Sequence, residues 1–516
     1  MKNKILFALL TPVFSISCSS LPELSYKSKT RDTSDSALIS TSIREKCFFN
    51  IIKKREKIND KVSQECQKKV FYPIDEEQSQ VIAVLEINEQ GRFVNQQHVS
   101  AVLNTIEESK NPFVNLFIHG WKHNGEIDDT NLISFKEILL RLNVKKKLAD
   151  KKRTNIGIYI AWRGKTTQLP AIKELTFWSR KNISENIGTG DLAHFILELE
   201  QTLNLKKTST SEKTNLILTG HSFGASALYH ALGPILVSRF NHSLTNQNLD
   251  KTTSLQGIGD LILLINPAIE AKKFLPLREA IWRKAAQEKT LNPTIFRNNY
   301  RPFFVVLGSN ADSPINNYFP IGRWFGTQTQ KYDTTEILDG NGMPQSTQQL
   351  HPSMKKYCDS HSSENDNLNY CITHENKLDR HAIGNFPPFY THWLSKDAYL
   401  TNNTMTPHKS ACSLSPEYFS SNASDDLKYY REQTLIHFNQ KNFLVLSNYM
   451  IKDQAHRWKK YGINFREEPN ITTKSLATSW PQNPYWFVRV NEKVLSSHTK
   501  IWDNELGCFL LSLIDV

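Results

Sequence analysis

The pentapeptide Gly220-His221-Ser222-Phe223-Gly224 carries the residue types that chemistry at a serine hydroxyl needs. It follows the apolar run Leu216-Ile217-Leu218 and precedes Ala225-Ser226-Ala227-Leu228-Tyr229-His230-Ala231-Leu232. That order reads as strand, sharp turn, helix. A serine at such a turn is pushed out at the top of a parallel sheet with its Oγ exposed, and the flanking glycines permit a strained backbone and a close strand–helix approach. The hydroxyl becomes a nucleophile only beside a general base, and the base needs an orienting carboxylate. Without them the pentapeptide is a tight turn with a surface serine.

The elements that must position such groups are legible as apolar runs. Strands are expected at 81–87, 114–118, 156–162, 261–265, 303–307 and 485–490, with a short return strand at 92–94. Helices are expected near 97–108, 132–142, 192–203 and 504–514. Strands alternate with helices, and several strands are continuously apolar, as in a parallel sheet covered on both faces. Between about Trp324 and Trp480 the alternation stops, and the chain becomes polar, aromatic and rich in His, Asn and Ser. A structureless loop of that length does not suit a compact domain, so the stretch is read as an inserted cap or side domain.

Several pieces together resemble the α/β-hydrolase superfamily. They are Phe117-Ile118-His119-Gly120-Trp121-Lys122-His123-Asn124, Ala161-Trp162-Arg163-Gly164, the serine pentapeptide, Ile265-Asn266-Pro267-Ala268, and Phe319-Pro320-Ile321-Gly322-Arg323. The chain is most similar to a bacterial esterase-like subset, over about 80–325 and 480–516. The resemblance implies an α/β-hydrolase fold: a mostly parallel central sheet flanked by helices, with a large insertion before the last strand. The expected organisation is a signal peptide at 1–18, a tether and N-terminal extension at 19–75, a hydrolase core at 76–325, an inserted cap at 326–480, and the end of the core at 481–516.

The same resemblance implies roles, position by position. Ser222 is the nucleophile. The family takes one oxyanion donor from the residue after the serine, here Phe223, and a second from the loop after the His-Gly strand end, here Trp121 with Lys122 as the neighbouring choice. The acid should follow the 303–307 strand, which points to Asp312, with Glu270 after Asn266-Pro267-Ala268 as the runner-up. The base should follow the last strand. His498 is the histidine that lies between the 485–490 strand and the terminal apolar helix, with His381 and His392 as rivals inside the insert. The implied function is a serine hydrolase cleaving carboxylic esters through an acyl-enzyme. A phospholipase or lipase, and a catalytically silent envelope or interaction module, are the alternatives. No cofactor or metal is expected.

The N-terminus reads as an export signal. Met1-Lys2-Asn3-Lys4 is basic, residues 5–13 are apolar, and Ser15-Ile16-Ser17-Cys18 offers small residues at a cleavage site. The segment resembles a lipobox, which makes Cys18 the expected lipidation site, and Ser19 favours the outer membrane. The expected partners are therefore an ester or lipid substrate and a membrane reached through the lipid anchor. The formal charge is +12, but the basic residues are spread in patches of a kind that suits solvated faces or anionic headgroups rather than a nucleic-acid site. Six cysteines remain beyond Cys18, and Cys47 with Cys66 and Cys358 with Cys371 are the short-loop pairings expected of an exported chain.

Overall fold

Continuous apolar runs build the centre of the molecule. The computed structural model describes residues 71–73, 80–126, 129–149, 153–164, 176–245, 257–280, 302–337, 357–362, 369–390, 392–396, 443–447, 463–464, 485–490, 492, 494–502, 506 and 510. Strands β1 (Phe71–Pro73), β2 (Gln80–Glu86), β3 (Phe113–Ile118), β4 (Asn155–Ala161), β5 (Asn215–His221), β6 (Leu261–Ile265) and β7 (Phe304–Ser309) come first in the chain. Later come β8 (Thr334–Glu336), β9 (Asp359–Ser362), β10 (Asn369–His374), β11 (His392–Lys396), β12 (Phe443–Ser447), β13 (Ile463–Asn464) and β14 (Tyr485–Val490). Eleven of these strands form one sheet in the order β1-β2-β4-β3-β5-β6-β7-β14-β11-β12-β13. Every pairing from β2 through to β11 is parallel.

Helices cover both faces, which is why the central strands have no polar alternation. Among the described residues they include α1 (Gln96–Glu108), α2 (Thr130–Ala149), α3 (Thr176–Thr189), α4 (Asp191–Ser209), α5 (Phe223–Thr245), α6 (Phe319–Gly326) and α7 (Glu375–Arg380). On one face Leu116, Ile118 and Ile158 join a core with Val102 of α1, Phe195 and Leu199 of α4 and Leu228 of α5. On the other, Phe117 and Tyr159 meet Phe135 of α2 and Trp502. No helix among the described residues is long and apolar enough to cross a membrane.

The chain runs from β3 outward to β4, returns past β3 to β5, and then proceeds the other way to β6 and β7. The crossovers leaving β3 and β5 therefore diverge, and a crevice opens outside the carboxyl ends of these two strands. Ile118 and Gly220 are register partners at that end, so the loops beginning at His119 and Ser222 start side by side.

The stretch 326–480 contributes to this sheet as well as standing beside it. Strands β11, β12 and β13 extend the sheet beyond β14, and β8, β10 and β9 form a separate antiparallel sheet. Cys358 and Cys371 are joined as a disulfide. The 381–385 segment lies along the 269–271 segment: Ile383 N–H donates to the Ile269 carbonyl at 2.8 Å, and Ala271 N–H to the His381 carbonyl at 2.8 Å. Residues 1–70 lie outside the described residues, Cys18, Cys47 and Cys66 among them. Of the expected terminal helix, Leu506 and Leu510 are described, and both are buried. The expected return strand at 92–94 is a single bridge between Ile87 and Phe93. The helix α3 has no counterpart in the expectations, because its polar and apolar residues do not separate into a clear stripe.

Candidate active site

The turn at Ser222 is as sharp as its sequence requires. Ser222 adopts φ 55°, a left-handed conformation that costs a non-glycine residue energy and must be held by its surroundings. Three bonds hold it. Ser222 N–H donates to the Ile265 carbonyl at 3.0 Å, and the Ser222 carbonyl accepts from Ser226 N–H at 3.1 Å and Ala268 N–H at 3.2 Å. The flanking glycines are steric necessities. A Cβ on Gly224 would lie 2.1 Å from the Ile118 carbonyl oxygen, and one on Gly220 would lie 2.6 Å from the Ala225 Cα.

Two distant stretches of chain converge on this turn. The Ser222 hydroxyl donates to His498 Nε2 at 2.8 Å, and His498 Nδ1–H donates to Asp312 Oδ2 at 2.8 Å. The carboxylate accepts only, so the imidazole proton sits on Nδ1 and Nε2 is the free base facing the hydroxyl. Asp312 has no exposed surface, and its Oδ1 accepts from Ile315 N–H at 2.9 Å. A carboxylate so held cannot rotate away from the imidazole.

The residues expected as alternatives lie elsewhere in the fold. Glu270 is buried and ion-paired with Lys181 Nζ at 2.9 Å and Arg323 Nε at 3.0 Å. Arg323 and Lys272 also reach Asp379, at 2.6 and 2.7 Å, so this cluster ties the 326–480 stretch to the core. His381 donates from Nδ1 to the Lys377 carbonyl at 2.6 Å. His392 lies in β11 at the far side of β14 from β7.

Of the two expected oxyanion donors, Phe223 follows Ser222 directly, and Trp121 follows Gly120, which lies beside Ser222. Phe223 is the first residue of α5, where a backbone N–H has no partner within the helix. On the other side, Gly120 lies against Ser222: a Cβ there would come within 2.8 Å of Ser222 Cβ. Lys122 N–H is committed to the Gly164 carbonyl at 3.0 Å, so of the two amides expected to donate from this loop Trp121 N–H remains the candidate. His119 sets its direction. Its Nε2 accepts from Trp162 N–H at 3.1 Å, so its proton is on Nδ1, which donates to the Gly120 carbonyl at 2.9 Å. A trans peptide points its C=O and N–H in opposite directions, so anchoring the Gly120 oxygen also fixes the Trp121 N–H. The His119 ring stacks with both Trp162 and Tyr159, with centroids 5.5 Å away in each case. Burial outweighs the neighbouring Asp129 charge and holds its pKa down to about 4, so the ring stays neutral.

Sequence reasoning did not assign several supporting residues. Phe177 of α3 packs on both of the residues expected to donate to an oxyanion, 5.5 Å from the Trp121 ring and 4.7 Å from the Phe223 ring. His221 donates from Nε2 to the His498 carbonyl at 2.8 Å, and burial pushes its pKa well below the ordinary imidazole value. Asn266 reaches the same carbonyl. The quoted Ile265-Asn266-Pro267-Ala268 motif was the available signal for Asn266, because asparagine is a residue that tolerates the φ of 45° it adopts. Nothing in the sequence brought Phe177 forward.

No family model, curated protein or solved structure matches this chain. Among the described residues, no group of three or more His, Cys, Asp and Glu side chains is arranged to hold a metal ion.

Proposed function

We propose that this protein is a serine carboxylic ester hydrolase of the α/β-hydrolase type. The observation that carries the reading is the unbroken chain from Ser222 Oγ through His498 to Asp312, two hydrogen bonds of 2.8 Å each. In the proposed reaction, Ser222 Oγ attacks the ester carbonyl as His498 Nε2 takes its proton. The carbonyl oxygen gains negative charge and is met by the N–H groups of Phe223 and Trp121; one such donor is worth about 3 kcal/mol of barrier. Asp312 keeps the imidazole in the reactive tautomer and stabilises the imidazolium. His498 then protonates the leaving alcohol. Water, deprotonated by the same nitrogen, releases the acid and restores Ser222. These steps use the chain's own groups and water.

Lipid esters are a second reading, favoured by one feature. Tyr318, Ile321 and Trp324 follow the Asp312 loop and are 59%, 56% and 44% exposed. Large apolar side chains beside a catalytic loop suit a substrate presented from a lipid surface. Export and attachment of the mature chain to a membrane through Cys18 belong to the same proposal.

The test is hydrolysis of p-nitrophenyl esters of graded chain length, phospholipids and thioesters, with Ser222→Ala as the blank. Turnover that survives in Ser222→Ala removes Ser222 from the mechanism. Failure of a fluorophosphonate probe to label the wild-type protein would favour a silent interaction module, because only an activated serine reacts with it.

A further inference from the structure

The loop that carries the Trp121 amide is held at its far end by one carboxylate that the reaction scheme does not use. Residues 120–126 leave the sheet with Lys122 at φ 70°, a conformation that relaxes unless its neighbours prevent it. On one side, Gly164 grips the loop twice. It accepts from Lys122 N–H at 3.0 Å and donates to the His123 carbonyl at 3.0 Å. On the other side is Asp129. Its Oδ2 accepts from Asn124 N–H at 3.0 Å and faces His123 Nδ1 at 3.2 Å. Its N–H donates to the Glu126 carbonyl at 2.8 Å.

The other oxygen of the same carboxylate belongs to a rigid element. Asp129 Oδ1 accepts from Asn131 N–H at 2.8 Å and Leu132 N–H at 3.4 Å, which makes Asp129 the N-cap of α2. That helix is seated on the sheet by Leu132, Phe135 and Leu139, all buried. One side chain, 6% exposed, thus connects the loop to a fixed helix end. Burial alone would raise its pKa, but the hydrogen bonds from His123 and the Asn124 N–H and the neighbouring imidazoles outweigh it and lower the pKa to about 2, so the group stays ionised.

We infer that Asp129 is a positioning residue of the esterase centre: by clamping His123 and Asn124 to the start of α2, it holds the 120–126 loop so that the Trp121 N–H meets the developing oxyanion. The inference rests on the ester-hydrolase reading. It differs from a role in stability alone because it ties the loop to the transition state rather than to substrate affinity.

The informative variant is Asp129→Asn. Asparagine is an equally good N-cap, so α2 keeps its start. Its amide group, however, provides one acceptor where the carboxylate provides two, and it carries no charge to hold His123. Active sites are counted by end-point fluorophosphonate titration, and p-nitrophenyl butyrate turnover is then expressed per titrated site. The expected result is a 10- to 100-fold lower kcat with KM within about threefold. The inhibition constant of an arylboronic acid, which mimics the tetrahedral state, should rise by the same factor as kcat/KM falls. His123→Ala, at a partly exposed position, removes one partner of the clamp and should lower kcat by several-fold in a chain whose fold does not depend on it. Unchanged kcat per titrated site in both variants, or a loss confined to KM, overturns the role of Asp129 while leaving the hydrolase reading intact. A wild-type chain that neither titrates nor turns over overturns both.

Discussion

Asn266 secures His498 from behind: its Nδ2 donates to the His498 carbonyl at 3.1 Å, while its Oδ1 accepts from Ser309 N–H at 3.0 Å. Ser309 in turn donates from its hydroxyl to the Leu495 carbonyl at 2.6 Å. The loop bearing His498 and the strand end leading to Asp312 are therefore joined through one buried amide. His221 adds a second donor to the same His498 carbonyl, so the backbone of His498 is held as well as its ring.

Asn266→Ala should reduce both stability and turnover. It leaves the buried Ser309 N–H without its acceptor and removes one donor from the His498 carbonyl, at about 1–3 kcal/mol for an unsatisfied group. It also places a non-glycine, non-asparagine residue at φ 45°. Asn266→Gly removes the same bonds without the backbone strain. Urea unfolding of both variants should show Asn266→Gly the less destabilised, with turnover lowered in each. Wild-type stability in Asn266→Ala would mean that the amide is not a clamp.

Asp312 and Glu270 should separate cleanly by substitution. Asp312→Asn removes the acceptor that selects the Nδ1–H tautomer, and the loss expected of such a change is about 10⁴-fold in kcat. Glu270→Gln leaves the Ser222–His498–Asp312 chain untouched but removes one carboxylate from buried Lys181 and partly buried Arg323, which keep Glu185 and Asp379 as partners. Breaking a buried pair from one side costs about 3–5 kcal/mol when the remaining charge has no other partner, so this variant should lose less than that, unfold at lower denaturant and keep kcat per folded molecule. A larger kcat loss in Glu270→Gln than in Asp312→Asn would reverse the assignment of the acid.

Gly224→Ala tests the steric account of the turn. The added methyl group would lie 2.1 Å from the Ile118 carbonyl oxygen and 2.5 Å from that of His119, and α5 must move away from β3 to make room. The proposed oxyanion donors Trp121 and Phe223 lie on the two sides of this contact. Activity should be lost together with at least about 1–3 kcal/mol of stability, as for an overpacked core site. A fully active Gly224→Ala protein would refute the close approach.

Acid should weaken the fold in a defined window. Burial holds His119 at about 4 against an ordinary value of 6.5, so between those values the unfolded chain binds a proton that the native state refuses. Stability is then highest above pH 6.5 and falls by about 3 kcal/mol as the pH drops to 4. His221, also depressed by burial, adds to the loss below pH 6.5. Asp129, lowered from 3.8 to about 2, contributes stability above pH 3.8 that disappears as the pH falls towards 2. Urea midpoints measured from pH 8 to pH 4 should fall less steeply in His119→Gln than in the wild type. Parallel curves for the two proteins would remove His119 as a source of the dependence.

Much of this centre was legible along the chain because its constraints are local. The Gly220–Gly224 turn depends on steric room within five residues, and that requirement is written in the residue types themselves. The strands from 81–87 to 485–490 were legible for a similar reason: a strand buried on both faces must be continuously apolar. The position of His498, between the last core strand and an apolar segment, followed from chain order in the resembling family. Chain order also put Asp312 first as the acid, with Glu270 as the runner-up. Both follow a core strand end, and what distinguishes them in space is what stands beside each: Lys181 and Arg323 around Glu270, and the His498 imidazole beside Asp312.

By itself, the amino-acid sequence determined that a serine would stand on a strained turn at the end of a buried strand, because sterics and burial act on neighbouring residues. Only the tertiary structure decided which groups surround that serine. The hold of Asn266 on His498, of His119 on the Trp121 amide, and of Phe177 on both donor residues joins positions far apart in the chain. Hydrogen bonds and ring contacts act over a few ångströms of space, and distance along the chain leaves no periodic trace of them.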